Sequence, residues 1–283
     1  MKSLSVLALA AAASDDRLAI TAAAALARRH ASTARAVDVF NTLPQLAPTF
    51  QAGGAQAVWR LRLEDEVNAR GAIAALVSEA AERFDRVAGS NAAAAIELAP
   101  PDDTTWTALK RELPLADFVV VAPSLACGVR AFGGPLGEAL MDARSPVLIA
   151  RAETLAPGRP AAVAWDGSFE AGHAVRAALP LLREASRVAI VQQVEEIDAS
   201  SGAAADPRRV ERYLAGHDIA VETTIETRGR SVGAALLQAA EAFGAELLVA
   251  GAYGHSRVGE ALVGGATRDF LSAKGGPHLL LAH

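Results

Sequence analysis

Residues 245–283 read AELLVAGAYGHSRVGEALVGGATRDFLSAKGGPHLLLAH, and residues 116–151 read ADFVVVAPSLACGVRAFGGPLGEALMDARSPVLIAR. Each stretch opens with an alanine, an acidic residue and an apolar run, crosses a glycine-rich segment and a helical pattern, and closes on a second apolar run. The chain is therefore written twice. Working outward, short apolar runs alternate with amphipathic stretches along both halves. The first half gives strands near 4–10, 35–40, 92–98, 117–122 and 146–151, with helices near 15–30, 64–87, 104–112 and 135–143. The second gives strands near 161–165, 187–194, 219–225, 246–250 and 278–282, with helices near 169–184, 207–216, 231–243 and 265–273. Alternating strands and helices imply parallel βαβ units with right-handed crossovers. The expected fold is α/β: two tandem doubly wound parallel-sheet domains, five-stranded, in the order 3-2-1-4-5. They span 1–152 and 158–283, joined across ETLAPGRP at 153–160, whose Pro and Gly content suits a linker.

Composition narrows the classes. With 52% hydrophobic and 21% charged residues the chain carries a sizeable core, and disorder is not expected. A net charge of −5 without a run of Lys or Arg argues against nucleic acid or an anionic membrane surface as the main partner. No uninterrupted apolar stretch is long enough to span a bilayer. The single cysteine, Cys127, excludes an internal disulfide and fits a reducing compartment, so a cytoplasmic location is expected. The opening MKSLSVLALAAAASDD shares features with a secretory signal, but the repeat needs SLSVLAL as its first strand. Residues 41–62, NTLPQLAPTFQAGGAQAVWRLR, have no counterpart in the second half and are read as a tolerated excursion or as a loop or lid over the first domain.

In an open α/β sheet, ligands bind beyond the carboxyl ends of the strands where the strand order reverses. In the second half this sets Asp166-Gly167-Ser168, after the first strand, across from Gly251-Ala252-Tyr253-Gly254, after the fourth. Gly251 and Gly254 can take positive φ and bare their N–H groups to an anion. Gly264, Gly265, Ala266 and Thr267 lead into the last helix, whose N-terminus and dipole favour negative charge. Ser256 and Thr267 offer hydroxyls, and His255 and Arg257 offer donors. Asp166 can accept from an adenine amino group or a ribose hydroxyl. The competing reading is that the glycines serve a turn and close helix–sheet packing.

Gly251-x2-Gly254-x9-Gly264 after an apolar strand, together with VAWDGS at 163–168 and GGATRDFL at 264–271, resembles the universal stress protein family, and especially its tandem members. The resemblance implies an adenine-nucleotide site, for ATP or AMP with or without Mg2+, in a stress-response protein. It places Asp166 near the adenosine moiety, Gly251, Gly254 and Gly264 at the phosphates, and Thr267 as a hydroxyl donor. His255, Ser256 and Arg257 fall in the family's variable segment. It also implies an internal pseudo-dimer of the two halves, with a homodimer of the chain left open. Two departures stand out. Gly265 replaces the usual Ser or Thr, which makes adenosine or AMP a better fit than a triphosphate. The first half reads APSLACGVRAFGGPLG, with Pro123 at the place of Gly251 and Ala126 at that of Gly254, and has no aspartate before Asp15. Pro lacks an N–H and fixes φ, so one working site, in the second half, is expected.

Other chemistry is poorly supported. The histidines at 30, 173, 217, 255, 278 and 283 show no HxH or HxxxH spacing for zinc, so no metal site is expected. His255-Ser256 lacks a GxSxG elbow. Cys127 has no neighbouring histidine in sequence to activate it. Trp59, Trp106 and Trp165 read as packing, with Trp165 also able to wall a base pocket. No Walker-type lysine accompanies the glycines, so no catalytic residue is assigned and any ATP hydrolysis is expected to be slow. A nucleotide hydrolase or adenylyl-transferring enzyme, and an interaction module with no nucleotide, remain as alternatives.

Overall fold

The computed structural model describes residues 3–40, 55–85, 95–101, 105–126, 134–195, 202–229, 231–253, 265–273 and 275–283, with side chains of the α2 helix described from residue 64 onward. The first half runs β1 (Val6–Ala10), α1 (Asp16–Arg29), β2 (Ala34–Asp38), α2 (Ala55–Asp85), β3 (Ile96–Leu98), α3 (Thr105–Glu112), β4 (Phe118–Val121), α4 (Pro123–Ala126), α5 (Pro135–Gly137) continued by a π turn, and β5 (Val147–Ile149). The second runs β6 (Ala161–Ala164), α6 (Phe169–Leu182), β7 (Val188–Gln193), α7 (Gly202–Ala205), α8 (Pro207–Ala215), β8 (Val221–Thr227), α9 (Val232–Phe243), β9 (Leu247–Gly251), α10 (Gly265–Ser272) and β10 (His278–Ala282).

All ten strands form one sheet in the order β3-β2-β1-β4-β5-β10-β9-β6-β7-β8. Each half keeps the expected 3-2-1-4-5 order with parallel pairing, and the halves meet where β5 and β10 pair antiparallel, Leu148 opposite Leu280. The strands at the centre are apolar on both faces, as a sheet covered on both sides requires: VLALA, FVVV and HLLLA are buried throughout. One apolar cluster lies on each face, and each draws residues from both halves. The alanine-rich α1 packs closely on its face because Ala19, Ala22, Ala23 and Ala27 present no bulk.

Two features differ from expectation. The 41–62 segment is not a loop throughout: α2 begins at Ala55 and continues the expected 64–87 helix backward without a break. AQAVWRLRLEDE contains no Gly or Pro and is rich in good helix formers, so nothing stops the helix there. Residues 41–54 lie outside the described residues. The third strand of the second half is β8, starting at Val221 rather than near 219. It is an outer strand and largely exposed, so its alternation is weak.

Side chains also join the halves. Arg29 Nε sits 3.0 Å from Glu184 Oε2, and His30 Nε2 sits 3.3 Å from Glu184 Oε1. Arg29 also donates to the Leu155 carbonyl at 2.5 Å, fixing the connection between halves. Arg151, just past β5, donates to the carbonyls of Phe270, in the last turn of α10, and of Pro277, just before β10.

Candidate functional site

Within each half the strands are parallel, and across β5–β10 they are antiparallel. The carboxyl ends of the two halves therefore lie on opposite edges of the sheet. Beyond the carboxyl ends of β6 and β9 lies a cavity of about 330 Å3, within the range of small-molecule sites. Asp166 and Glu170 from the β6–α6 turn, Gly251 from β9, and Gly265, Ala266 and Thr267 from α10 all line it. The sequence thus brings Asp166 and the α10 N-terminus to one cavity, as topology predicted. Gly254, His255, Ser256, Arg257 and Gly264 lie outside the described residues.

The turn after β6 is built locally. Asp166 Oδ1 accepts from Ser168 N at 2.9 Å, and the Ser168 hydroxyl caps α6 by accepting from Ala171 N at 3.1 Å. Gly167 has φ +80, and a Cβ there would lie 2.4 Å from the Ala204 carbonyl carbon, so glycine is required twice over.

Gly251 corrects the expectation of a positive φ. Its φ is not in the left-handed region, and it is bare because a Cβ would sit 2.6 Å from Ala171 N. The close approach of α6 accounts for this glycine. The strained position is Tyr253, at φ +69. Its N–H donates to Thr267 Oγ1 at 3.3 Å, so the hydroxyl expected to face a ligand also ties the start of the loop to α10. Thr267 is buried, and burial pushes the Tyr253 phenol well above its ordinary value. Among described neighbours a Cβ at Gly265 would meet nothing within 4 Å, leaving open space at the first residue of α10.

Several lining residues went unread in the sequence: Glu170, Gln193, Ser231, Arg268 and Asp269. Gln193 ends β7, the strand beside β6, so the sheet order alone could have nominated it. Its Nε2 donates to the Gly229 carbonyl at 2.7 Å, which pins the β8–α9 connection. Ser231 donates to Asp269 at 2.6 Å, linking that connection to α10. Trp165 lines the cavity and packs on the core, with its indole nitrogen buried.

The first half builds the corresponding turn and crevice differently. The parallel ADFVVVAPS and AELLVAGAY sets Phe118 beside Leu247 in sequence, and the sheet pairs Phe118 with Val6 and Leu247 with Ala161. Counted from these, Ala122 stands at Gly251 and Leu125 at Gly254, which corrects the one-residue offset that had aligned Pro123 and Ala126. Ala11 stands at Asp166, so the aspartate is absent, and Ala12, with φ +57, stands at Gly167. Asp15 takes up the crevice: its carboxylate accepts from Ser124 N at 2.9 Å and from the Ser124 hydroxyl. The adjacent Asp16 is fully buried and accepts from Ala11 N and Ala13 N. Burial outweighs these bonds and raises its pKa to about 6. Cys127 lies outside the described residues.

The cavity now has its walls: an aspartate after the first strand of the half and a helix N-terminus after the fourth. Residues 159–273 match the sequence profile of the universal stress protein family. That segment is a universal stress protein domain. Among solved structures, a universal stress protein from Archaeoglobus fulgidus DSM 4304 is 15% identical with a TM-score of 0.66, covering 99% of this chain and 96% of that one. A protein of unknown function from Pseudomonas aeruginosa PAO1 is 15% identical with a TM-score of 0.53, covering 98% of this chain and 92% of that one. At these identities the likeness is one of fold, and it extends over both halves. No curated protein matches the sequence. Among the described residues no helix is long and apolar enough to cross a membrane.

Proposed function

We propose that the universal stress protein domain binds an adenine nucleotide, ATP or AMP, in the cavity beyond β6 and β9, and that the chain acts by binding rather than by catalysis. The observation that carries this is that Asp166 and the first residues of α10 line one cavity. A carboxylate suits ribose hydroxyls or an amino group, and the N–H groups of a helix N-terminus suit a phosphate. The chain's lysines are Lys2, Lys110 and Lys274, and among the described residues lining the cavity there is no lysine to supply the cationic part that phosphoryl transfer needs. A stress-response role in the cytoplasm, an internal pseudo-dimer of the two halves, and one working site in the second half complete the proposal. The domain limits 1–152 and 158–283 belong to it, as do Gly254, His255, Ser256, Arg257 and Gly264 as phosphate-loop residues.

A second reading, an interaction module without nucleotide, draws on Gly251, whose bareness the approach of α6 already explains. Mass spectrometry of small molecules released from the purified protein, followed by calorimetry with adenosine, AMP and ATP, separates the two. An adenine compound in near-stoichiometric amount, with turnover near background, is the expected result. Absence of binding by every adenine compound supports the interaction module, and metal-dependent product in molar excess over protein supports an enzyme.

A further inference from the structure

Among the described residues the charged groups lining the cavity are Asp166, Glu170, Asp269 and Arg268. Three carboxylates face one guanidinium, a poor complement to a polyphosphate. Asp269 is engaged by Ser231 and Asp166 by the Ser168 amide. Glu170 lines the cavity too, and its Cβ lies 3.0 Å from where a Gly251 Cβ would stand, which places it beside the carboxyl end of β9, at the glycine that the nucleotide reading sets against the phosphates.

The first half shows what an acid at this position reaches. Asp15 stands nine residues beyond Val6, as Glu170 stands nine beyond Ala161. Ser124 and Tyr253 each stand six beyond the paired Phe118 and Leu247. Asp15 spends its carboxylate on the amide and hydroxyl of Ser124, an internal anion held by the short helix α4 that follows the fourth strand. In the second half the matching amide, on Tyr253, is taken by Thr267, and the site at Gly265 offers no side-chain donor.

We infer that Glu170 is a specificity-determining residue that sets its negative charge against the phosphate end of the cavity, so that the pocket favours adenosine and AMP over ATP. The inference rests on the adenine-nucleotide reading above. The discrimination is electrostatic, so it weakens as salt screens it. Each added phosphate charge meets the same fixed carboxylate, and affinity falls stepwise from adenosine and AMP to ATP.

Calorimetry on the full chain with adenosine, AMP and ATP, without divalent cation and at low ionic strength, tests this. In Glu170→Gln, ATP affinity is expected to rise about tenfold, AMP less, and adenosine to change by no more than about twofold, the sizes that one removed charge near the ligand gives. Glu211→Gln, on exposed α8, should leave the ATP-to-adenosine ratio unchanged. A second measurement needs no variant: added salt should narrow the gap between adenosine and ATP in the wild-type protein. Adenosine binding with an ATP ratio that neither Glu170→Gln nor salt shifts in this direction overturns the role of Glu170 and leaves the nucleotide reading standing. Absence of binding by adenosine, AMP and ATP alike overturns both.

Discussion

Arg151 Nη2 lies 2.8 Å from the carbonyl oxygen of Phe270, and its Nη1 lies 3.1 Å from that of Pro277. The arginine belongs to the first half; the Phe270 carbonyl lies in the last turn of α10, the helix whose other end lines the cavity, and the Pro277 carbonyl lies just before β10. A guanidinium there answers a carbonyl of the helix's last turn and complements the negative end of its dipole. Through one side chain, the first half holds the helix that forms a wall of the second half's site.

Arg151→Ala should therefore lower stability by roughly 2 kcal/mol, the usual loss for charged hydrogen bonds of this kind. Urea unfolding measures it. Arg151→Lys should recover only part of the loss, because an ammonium lacks the planar fork that spans two carbonyls. A lysine variant equal to wild type would show that charge alone matters here.

The glycines of the cavity should separate by mutation. Gly251→Ala places a methyl 2.6 Å from Ala171 N and should cost about 1–3 kcal/mol by overpacking. Gly265→Ala meets open space at the start of α10 and should be neutral or stabilising by about 0.5 kcal/mol. Thermal melts of both variants check the contrast, and equal destabilisation would contradict the described packing.

Asp16 should make stability fall as pH rises through the weakly acid range. Its folded pKa, about 6, lies above the ordinary 3.8, so the folded chain holds the proton more tightly. Its contribution is fully present below the ordinary value and is lost as pH rises to about 6. Asp16→Asn keeps an acceptor for the Ala11 and Ala13 amides while removing the titration. The variant should gain about 2 kcal/mol relative to wild type between pH 4 and pH 7, of the size that a shift of this order implies. Denaturation at the two pH values reads the difference.

The contacts around Glu184 should act in the opposite direction. Burial lowers the pKa of His30 below its ordinary 6.5, which more than offsets the pull of Glu184. The neutral imidazole is the form the folded chain prefers, so its contribution is present above pH 6.5 and is lost as pH falls. Glu184→Gln leaves Arg29 without its acidic partner in a largely buried setting and should cost about 3 kcal/mol. Equilibrium unfolding near pH 7.5 gives that value, and an undisturbed midpoint would argue that the contact between halves does not depend on this acid.

The sequence revealed most where periodicity and topology reinforce each other. FVVV and LLVAG are unbroken apolar runs, and that pattern is what a sheet covered on both faces imposes. Asp166 was legible because a residue just past the first strand has only one place to go. The meaning of Gly251 was not legible: a glycine freed for a ligand and a glycine crowded by a helix look alike in sequence. Glu170 escaped for a related reason. A first-turn acid suits any helix dipole, and only the fold shows that this one also faces a cavity. The one-residue offset between Pro123 and Gly251 arose because loops of unequal content align ambiguously until strand pairing fixes the register.

The β5–β10 junction has a further consequence for association. By fusing two sheets it removes one edge from each, so the outermost strands are the three-residue β3 and the seven-residue β8. A strand as short as β3 offers little for another chain to copy. On β8, antiparallel pairing of two chains about Thr224 would set Glu222 of each against Glu226 of the other, a like-charge contact repeated on both sides. Both ends of the sheet thus discourage stacking onto further copies, and the fused chain is guarded against edge-to-edge aggregation by brevity at one margin and by repulsion at the other.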